Sequence, residues 1–169
     1  MMVARGDLGV ELPFGEVPGT QKKMIRNTVI AGKPVITATQ MLASMQHNPR
    51  PTRAEASDVA NAILDGSSAI MLSGETAAGK YPVEAIKAMH SLALSAESNL
   101  EEFGYLQTLP FHSPNVVAEA ICSAATTMAK DLEATAIISL SDSGFTSRLI
   151  AKHRPSCPIL SVSGIEKVA

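Results

Sequence analysis

The chain has 169 residues, 46% of them hydrophobic and 18% charged, with a formal net charge of -2. These values describe a globular chain long enough to bury a core, and they exclude the basic field that nucleic acid or an anionic membrane surface would require. Aromatic residues are 4% of the total and tryptophan is absent, which leaves little for a base-stacking surface.

Met1 to Ala4 reads as a short buried strand that breaks into a loop, Arg5-Gly6-Asp7. That loop follows a strand's carboxyl end, where parallel α/β proteins keep their chemistry. Asp7 can bind a metal, Gly6 can let its amide reach an anion, and Arg5 can neutralise charge; a solvated turn with a helix-capping Asp is the alternative. Pro13 to Gly19 reads as turns. Thr20 to Ala31 predicts a helix with Met24, Ile25, Thr28 and Val29 on one side and Gly32 as its stop. Val35 to Ala38 is a β-branched strand with Thr39-Gln40 at its carboxyl end, and Met41 to Met45 a short helical turn. Thr52 and Glu55 have capping-box spacing and open a helix to about Leu64-Asp65, with Val59, Ala60, Ile63 and Leu64 inward. Ser68 to Leu72 is the next strand and opens onto a loop, Ser73-Gly74-Glu75. Pro82 suits the first position of a helix that carries Val83, Ile86, His90, Ala93 and Leu94 at helical spacing.

Three strand–helix repeats of roughly thirty residues predict a parallel sheet with right-handed crossovers. On a barrel their strand ends converge at one face, which gives Asp7, Thr39 and Ser73 a physical reason to act together. Periodicity lapses from Glu101 to Ser113. It resumes with a helix from Val116 to Lys130 carrying Val117, Ile121, Ala124, Ala125 and Met128. A strand (Ala134 to Leu140), a helix (Gly144 to His153) and a strand (Pro158 to Val162) follow. The expected organisation is a first domain over 1–102, a linker over 103–115 and a second α/β domain over 116–169. Between strand and helix, Ser141-Asp142-Ser143-Gly144-Phe145-Thr146 offers hydroxyls, a Gly and helix amides that can cradle a phosphate, although Asp142 adds negative charge. A Ser-capped helix start without a ligand is the alternative. His47, His90, His112 and His153 form no metal spacing. Cys122 and Cys157 suit reduced thiols in a cytoplasmic protein, and no stretch has the length of a membrane span.

The stretches Met2 to Glu11, Gly32 to Ser44, Arg50 to Asp65 and Ile70 to Pro82 closely resemble the pyruvate kinase family, in its order and at its spacing. Ser139 to Ser163 resembles the C-terminal domain of that family, and Thr39-Gln40-Met41 is a highly specific run. The resemblance implies an α/β fold: the C-terminal portion of a (β/α)8 TIM barrel, its last three βα units, followed by part of an α/β C-terminal domain. It implies an enzyme of glycolysis that moves a phosphoryl group from phosphoenolpyruvate to ADP, giving pyruvate and ATP, in the cytoplasm and as a homo-oligomer, a tetramer in the family. It implies Mg2+ or Mn2+, with Asp7 as one of two metal carboxylates, and K+ held by residues elsewhere. By the same resemblance Arg5, Gly6, Asp7 and Thr39 bind substrate. Thr39 and Ser73 are catalytic, with a water chain at Ser73 protonating the enolate. Ser141, Ser143, Gly144 and Thr146 match a loop that takes the phosphate of an allosteric effector, a sugar phosphate or nucleotide. The family's second metal Glu and its phosphoryl-stabilising Lys fall upstream; Glu11 and Glu75 do not match that Glu, and Lys22 and Lys23 read as solvated charge. The expectation is therefore a fragment that is inactive alone. A non-catalytic phosphate-binding regulatory module, or a truncated remnant whose raw sheet edges drive self-association, are the alternatives.

Overall fold

The structure, a computed structural model, describes residues 1–104 and 115–166. His112 and nearly all of the expected linker over 103–115 lie outside the described residues. The chain divides into two compact units, Met1–Val29 with Pro34–Thr108, and Ile30–Lys33 with Leu109–Ala169.

In the first unit, strands β1 (Met2–Ala4), β2 (Ile36–Ala38) and β3 (Ala69–Met71) form a three-stranded sheet in the order β1-β2-β3. All pairings are parallel: Val3 lies opposite Thr37, and Thr37 opposite Ile70. The β1–β2 crossover contains α1 (Arg5–Glu11) and α2 (Val17–Ile30), and the β2–β3 crossover contains α3 (Arg53–Leu64). Beyond β3 come α4 (Gly74–Ala77), α5 (Pro82–Glu97) and α6 (Leu100–Phe103). The expected parallel, crossover-linked sheet is what forms. Thr37 and Ala38 of its central strand are buried, and the Thr37 hydroxyl meets that of Ser67 at 2.7 Å.

Two expected loops are instead helical. Arg5-Gly6-Asp7 is the first turn of α1, with no residue between strand and helix, and Gly74-Glu75 opens α4. Neither Gly6 nor Gly74 has a positive φ, so nothing breaks the right-handed turn. Helix α2 begins three residues earlier than its periodicity suggests. Pro18 is tolerated there because first-turn amides have no intrahelical partner to lose. Thr52 and Glu55 form the expected capping box at the start of α3.

The core of this unit holds Met41, Leu42 and Met45 together with Val59, Ala62 and Ile63 of α3 and Ala85, Met89 and Ala96 of α5. The segment after β2, expected as a short helical turn, also supplies core. It ends in a 3-10 turn, Ala43–Gln46. On α3, Val59 and Ile63 are buried as expected, while Ala60 and Leu64 are half-buried and Ala62 takes their place. Helix α5 turns its small-residue face inward and leaves Val83, Ile86 and Leu94 exposed, because Ala85 and Ala96 allow close approach to α3. Lys22 is exposed, as expected of solvated charge, and also pairs with Asp65 at the end of α3.

In the second unit α7 (Val116–Asp131) precedes β4 (Ile137–Leu140), α8 (Phe145–Lys152) and β5 (Ile159–Val162). The two strands pair parallel, Ile137 opposite Ile159 and Leu140 opposite Val162. Helix α7 buries Glu119, Cys122 and Ala129 and exposes Val117, Ile121 and Met128, again the reverse of a reading that follows the largest apolar side chains. The buried Glu119 carboxylate meets Lys152 of α8 in an ion pair whose side chains are 0% and 1% exposed. Beside it His153 is half-buried, and its Nε2 has no partner among the described residues. Burial, then the Lys152 charge, hold its pKa below the ordinary imidazole value, against the opposing pull of Glu119. Both cysteines are free thiols, and burial followed by Glu119 raises the Cys122 pKa. No helix among the described residues is long and apolar enough to cross a membrane.

Candidate functional site

The carboxyl ends of β1 and β2 meet at Thr39. Thr39 and Gln40 both have positive φ, 71° and 54°, a region that costs a β-branched residue on the order of 1–3 kcal/mol unless neighbours enforce it. Arg5 is one of those neighbours. Its Nε and Nη2 donate to the Thr39 carbonyl at 3.1 and 2.7 Å, and its Nη1 donates to Asp58 Oδ2 at 2.5 Å. The guanidinium is thereby turned into the protein, with 11% of the side chain exposed. The Gly6 amide donates to Thr39 Oγ1 at 2.9 Å, so the Thr39 proton is directed elsewhere. With the Gly6 N–H spent on that oxygen, the donor left to meet an anion here is the Thr39 hydroxyl.

Three charged side chains hold the segment after β2 in place. Besides Arg5 at Thr39, Glu55 accepts from Ser44 N (2.7 Å) and Ser44 Oγ (2.6 Å), and from Thr52 N (2.8 Å) and Thr52 Oγ1 (2.9 Å). Burial pushes the Glu55 carboxyl up, but these hydrogen bonds outweigh it and hold the group below the ordinary carboxylate value. The third is Glu75, 2% exposed, which accepts from the amides of Leu42 (3.1 Å) and Ser73 (2.9 Å). Ser73 is half-buried, and its side chain does not cap α4.

Asp7 stands exposed in the first turn of α1, where an acid suits the helix dipole. Among the described residues no group of three His, Cys, Asp or Glu could hold a metal ion by itself. Among the described residues, Asp7 is the exposed carboxylate directly after β1. That fits a single ligand position on a magnesium ion, which takes one or two carboxylates and completes its shell with water and substrate oxygens.

In the second unit, Ser141 extends the β4–β5 ladder through its amide to the Val162 carbonyl at 3.0 Å. Gly144 is the N-cap of α8 at φ 69°, a conformation in which a Cβ would be strained, and no side chain caps the helix. Behind the loop, hydroxyls of Ser139, Ser147 and Ser161 form a chain at 2.7 and 2.6 Å that ties α8 to both strands.

The structure brings Arg5, Gly6 and Thr39 into direct contact and links the Thr39 segment to Ser73 through Glu75. Sequence reasoning missed the positive φ pair, Asp58 and the Glu75 bridge. The signal available was Glu75 itself, an acid within an otherwise small-residue run.

Two family models match the chain, one described as pyruvate kinase, barrel domain, over residues 1–86 and one as pyruvate kinase, alpha/beta domain, over residues 119–169. Pyruvate kinase of Geobacillus stearothermophilus is 54% identical over 169 residues, which is 100% of this chain and 29% of the relative. Pyruvate kinase of Leishmania mexicana is 50% identical over 165 residues, 96% of this chain and 33% of the relative. A crystal structure of a pyruvate kinase from Cryptosporidium parvum superimposes with a TM-score of 0.80 at 44% identity, covering 99% of this chain and 34% of that one. The chain thus spans about a third of the length of these relatives.

Proposed function

The chain belongs to the pyruvate kinase family, and from that premise we propose that its residues form part of an enzyme transferring a phosphoryl group from phosphoenolpyruvate to ADP. In this reading the first unit is the last three βα units of a TIM barrel. The second is the beginning of the C-terminal α/β domain. The substrate carboxylate sits at the Gly6 amide and the Thr39 hydroxyl, and Arg5 acts on it through Thr39. The observation that carries the reading is the Gly6–Thr39 contact at 2.9 Å with Arg5 locked on the Thr39 carbonyl. It joins two chain-distant groups and leaves the Thr39 hydroxyl proton to turn toward a substrate oxygen.

The phosphorus–oxygen bond of phosphoenolpyruvate breaks as the bond to the terminal ADP oxygen forms, and the enolate left behind takes a proton at carbon to give pyruvate. Asp7 would hold Mg2+ or Mn2+, whose charge, when bound, offsets the charge developing on enolate and phosphoryl. Thr39 orients the enolate face, and a water at the Ser73 hydroxyl delivers the proton. The phosphoryl-stabilising Lys, the second metal acid and the K+ ligands are not among these residues. A cytoplasmic homo-oligomer, with a sugar-phosphate or nucleotide effector at Ser141, Ser143, Gly144 and Thr146, completes the reading.

The test is a graft of this chain in place of the matching segment of the Geobacillus stearothermophilus relative. The graft should turn over phosphoenolpyruvate and ADP, and the isolated 169-residue chain should not. Thr39→Val, nearly isosteric, should lower kcat of the graft at least about tenfold with the fold intact by circular dichroism. A graft whose kcat ignores Thr39→Val overturns the substrate role.

A further inference from the structure

We infer that Glu75 is a positioning residue for this site: its buried carboxylate fixes the segment carrying Thr39 against the segment carrying Ser73. The inference rests on the reading above for what Thr39 and Ser73 do.

A buried carboxylate is costly unless its oxygens are satisfied. Glu75 is 2% exposed, and among the described residues no cation lies within ion-pair distance of it. Its two oxygens are divided between two chain segments. Oε2 takes the Ser73 amide at 2.9 Å, two residues back, and Oε1 takes the Leu42 amide at 3.1 Å, across 33 residues of sequence. Leu42 follows the left-handed pair Thr39-Gln40 by two residues, so a hold on its amide is a hold just beyond that strained turn. Ser73 is the second residue beyond the end of β3. The carboxylate is therefore a two-pronged acceptor between the two strand ends, and a side chain able to donate cannot serve at both prongs.

The surroundings are shaped to seat it. The Lys80 amide donates to the Gln46 carbonyl at 2.9 Å, closing the α4 turn onto the 3-10 turn that follows Leu42. At Gly79 a Cβ would lie 2.4 Å from the Glu75 carbonyl and 3.1 Å from Gln46 Cα, so only glycine permits this approach. A solubilising surface acid needs none of this.

Glu75→Gln keeps shape and one acceptor but aims an amide donor at a backbone donor. In the 169-residue chain, hydrogen exchange at the Leu42 or Ser73 amide should speed at least about tenfold, while amides in the middle of α3 keep their protection. In the graft, Glu75→Gln should lower kcat about 10- to 100-fold, the scale of a small misplacement of reacting groups. Combined with Thr39→Val, it should cost less than about twofold more, since a positioning residue has little left to position once the hydroxyl is gone. Multiplying losses, or unchanged exchange at both amides, would overturn the inference. If Thr39→Val alone changes nothing, the substrate reading fails and the positioning role with it, whereas altered exchange would still mark Glu75 as the tie between the two segments. Should Glu75→Gln fail to fold, Gly79→Ala, which displaces the Glu75 backbone, gives the same two readouts.

Discussion

Two glutamates are buried in this chain by opposite means. Glu75 in the first unit, 2% exposed, spends its oxygens on two backbone amides. Glu119 in the second, 0% exposed, faces the ammonium of Lys152. The first arrangement ties chain segments whose backbone position matters, because amides cannot move without moving the fold. The second ties two helices through flexible side chains, and what it secures is the contact between α7 and α8. Here the acid held by amides sets backbone position, and the acid paired with a lysine joins helix to helix.

The comparison breaks most sharply at Lys152. Lys152→Met leaves Glu119 buried beside a vanished cation and should destabilise the second unit by about 3–5 kcal/mol. Glu119→Gln with Lys152→Met should recover most of that, since the pair itself contributes little net stability. Urea unfolding of the two variants, followed by exchange of α8 amides, checks both. A double variant as unstable as the single one would show that the charges do more than pack.

Acid separates the units next. The His153 pKa is lowered from 6.5 by burial and then by Lys152, so the unfolded chain takes up that proton first. Stability of the second unit should fall as pH drops below about 6.5, and His153→Gln should flatten the fall. Glu55 in the first unit is lowered from 4.5, so its contribution is fully present above that value and is lost only as pH descends through the folded pKa. Glu55→Gln should remove that later loss. Amide exchange in α3 and α8, recorded from pH 7 to 3, would place the two losses in order, and the reverse order would contradict the assignment.

The smallest expected effect sharpens the picture of the segment after β2. Thr52→Ala removes one half of the α3 capping box and should cost about 1 kcal/mol in urea. Because Glu55 keeps its two bonds to Ser44, the positive φ pair should persist.

Much of this was readable beforehand. The strand–helix repeats and the Thr52–Glu55 cap follow from periodicity and spacing, whereas the grouping of Arg5, Gly6 and Thr39 came from the family resemblance. The facing of α5 and α7 did not, because large side chains at helical spacing pointed to one face while Ala85, Ala96, Cys122 and Ala129 give closer approach on the other. Met41, Leu42 and Met45 were legible as apolar but not as core, since burial of an irregular segment depends on Arg5, Glu55 and Glu75 arriving from elsewhere in the chain. Glu119 and Lys152 carried no signal as a pair, 33 positions apart.

The left-handed backbone at Thr39 and Gln40 makes two kinds of selection diverge. A screen that rewards folding alone would favour glycine at position 39, where it relaxes the strain at once. On the proposed substrate role, a screen that rewards turnover of the graft would retain threonine, because the hydroxyl and the strain come together. Libraries built on this chain would therefore drift apart at that one codon before they differed anywhere in the core.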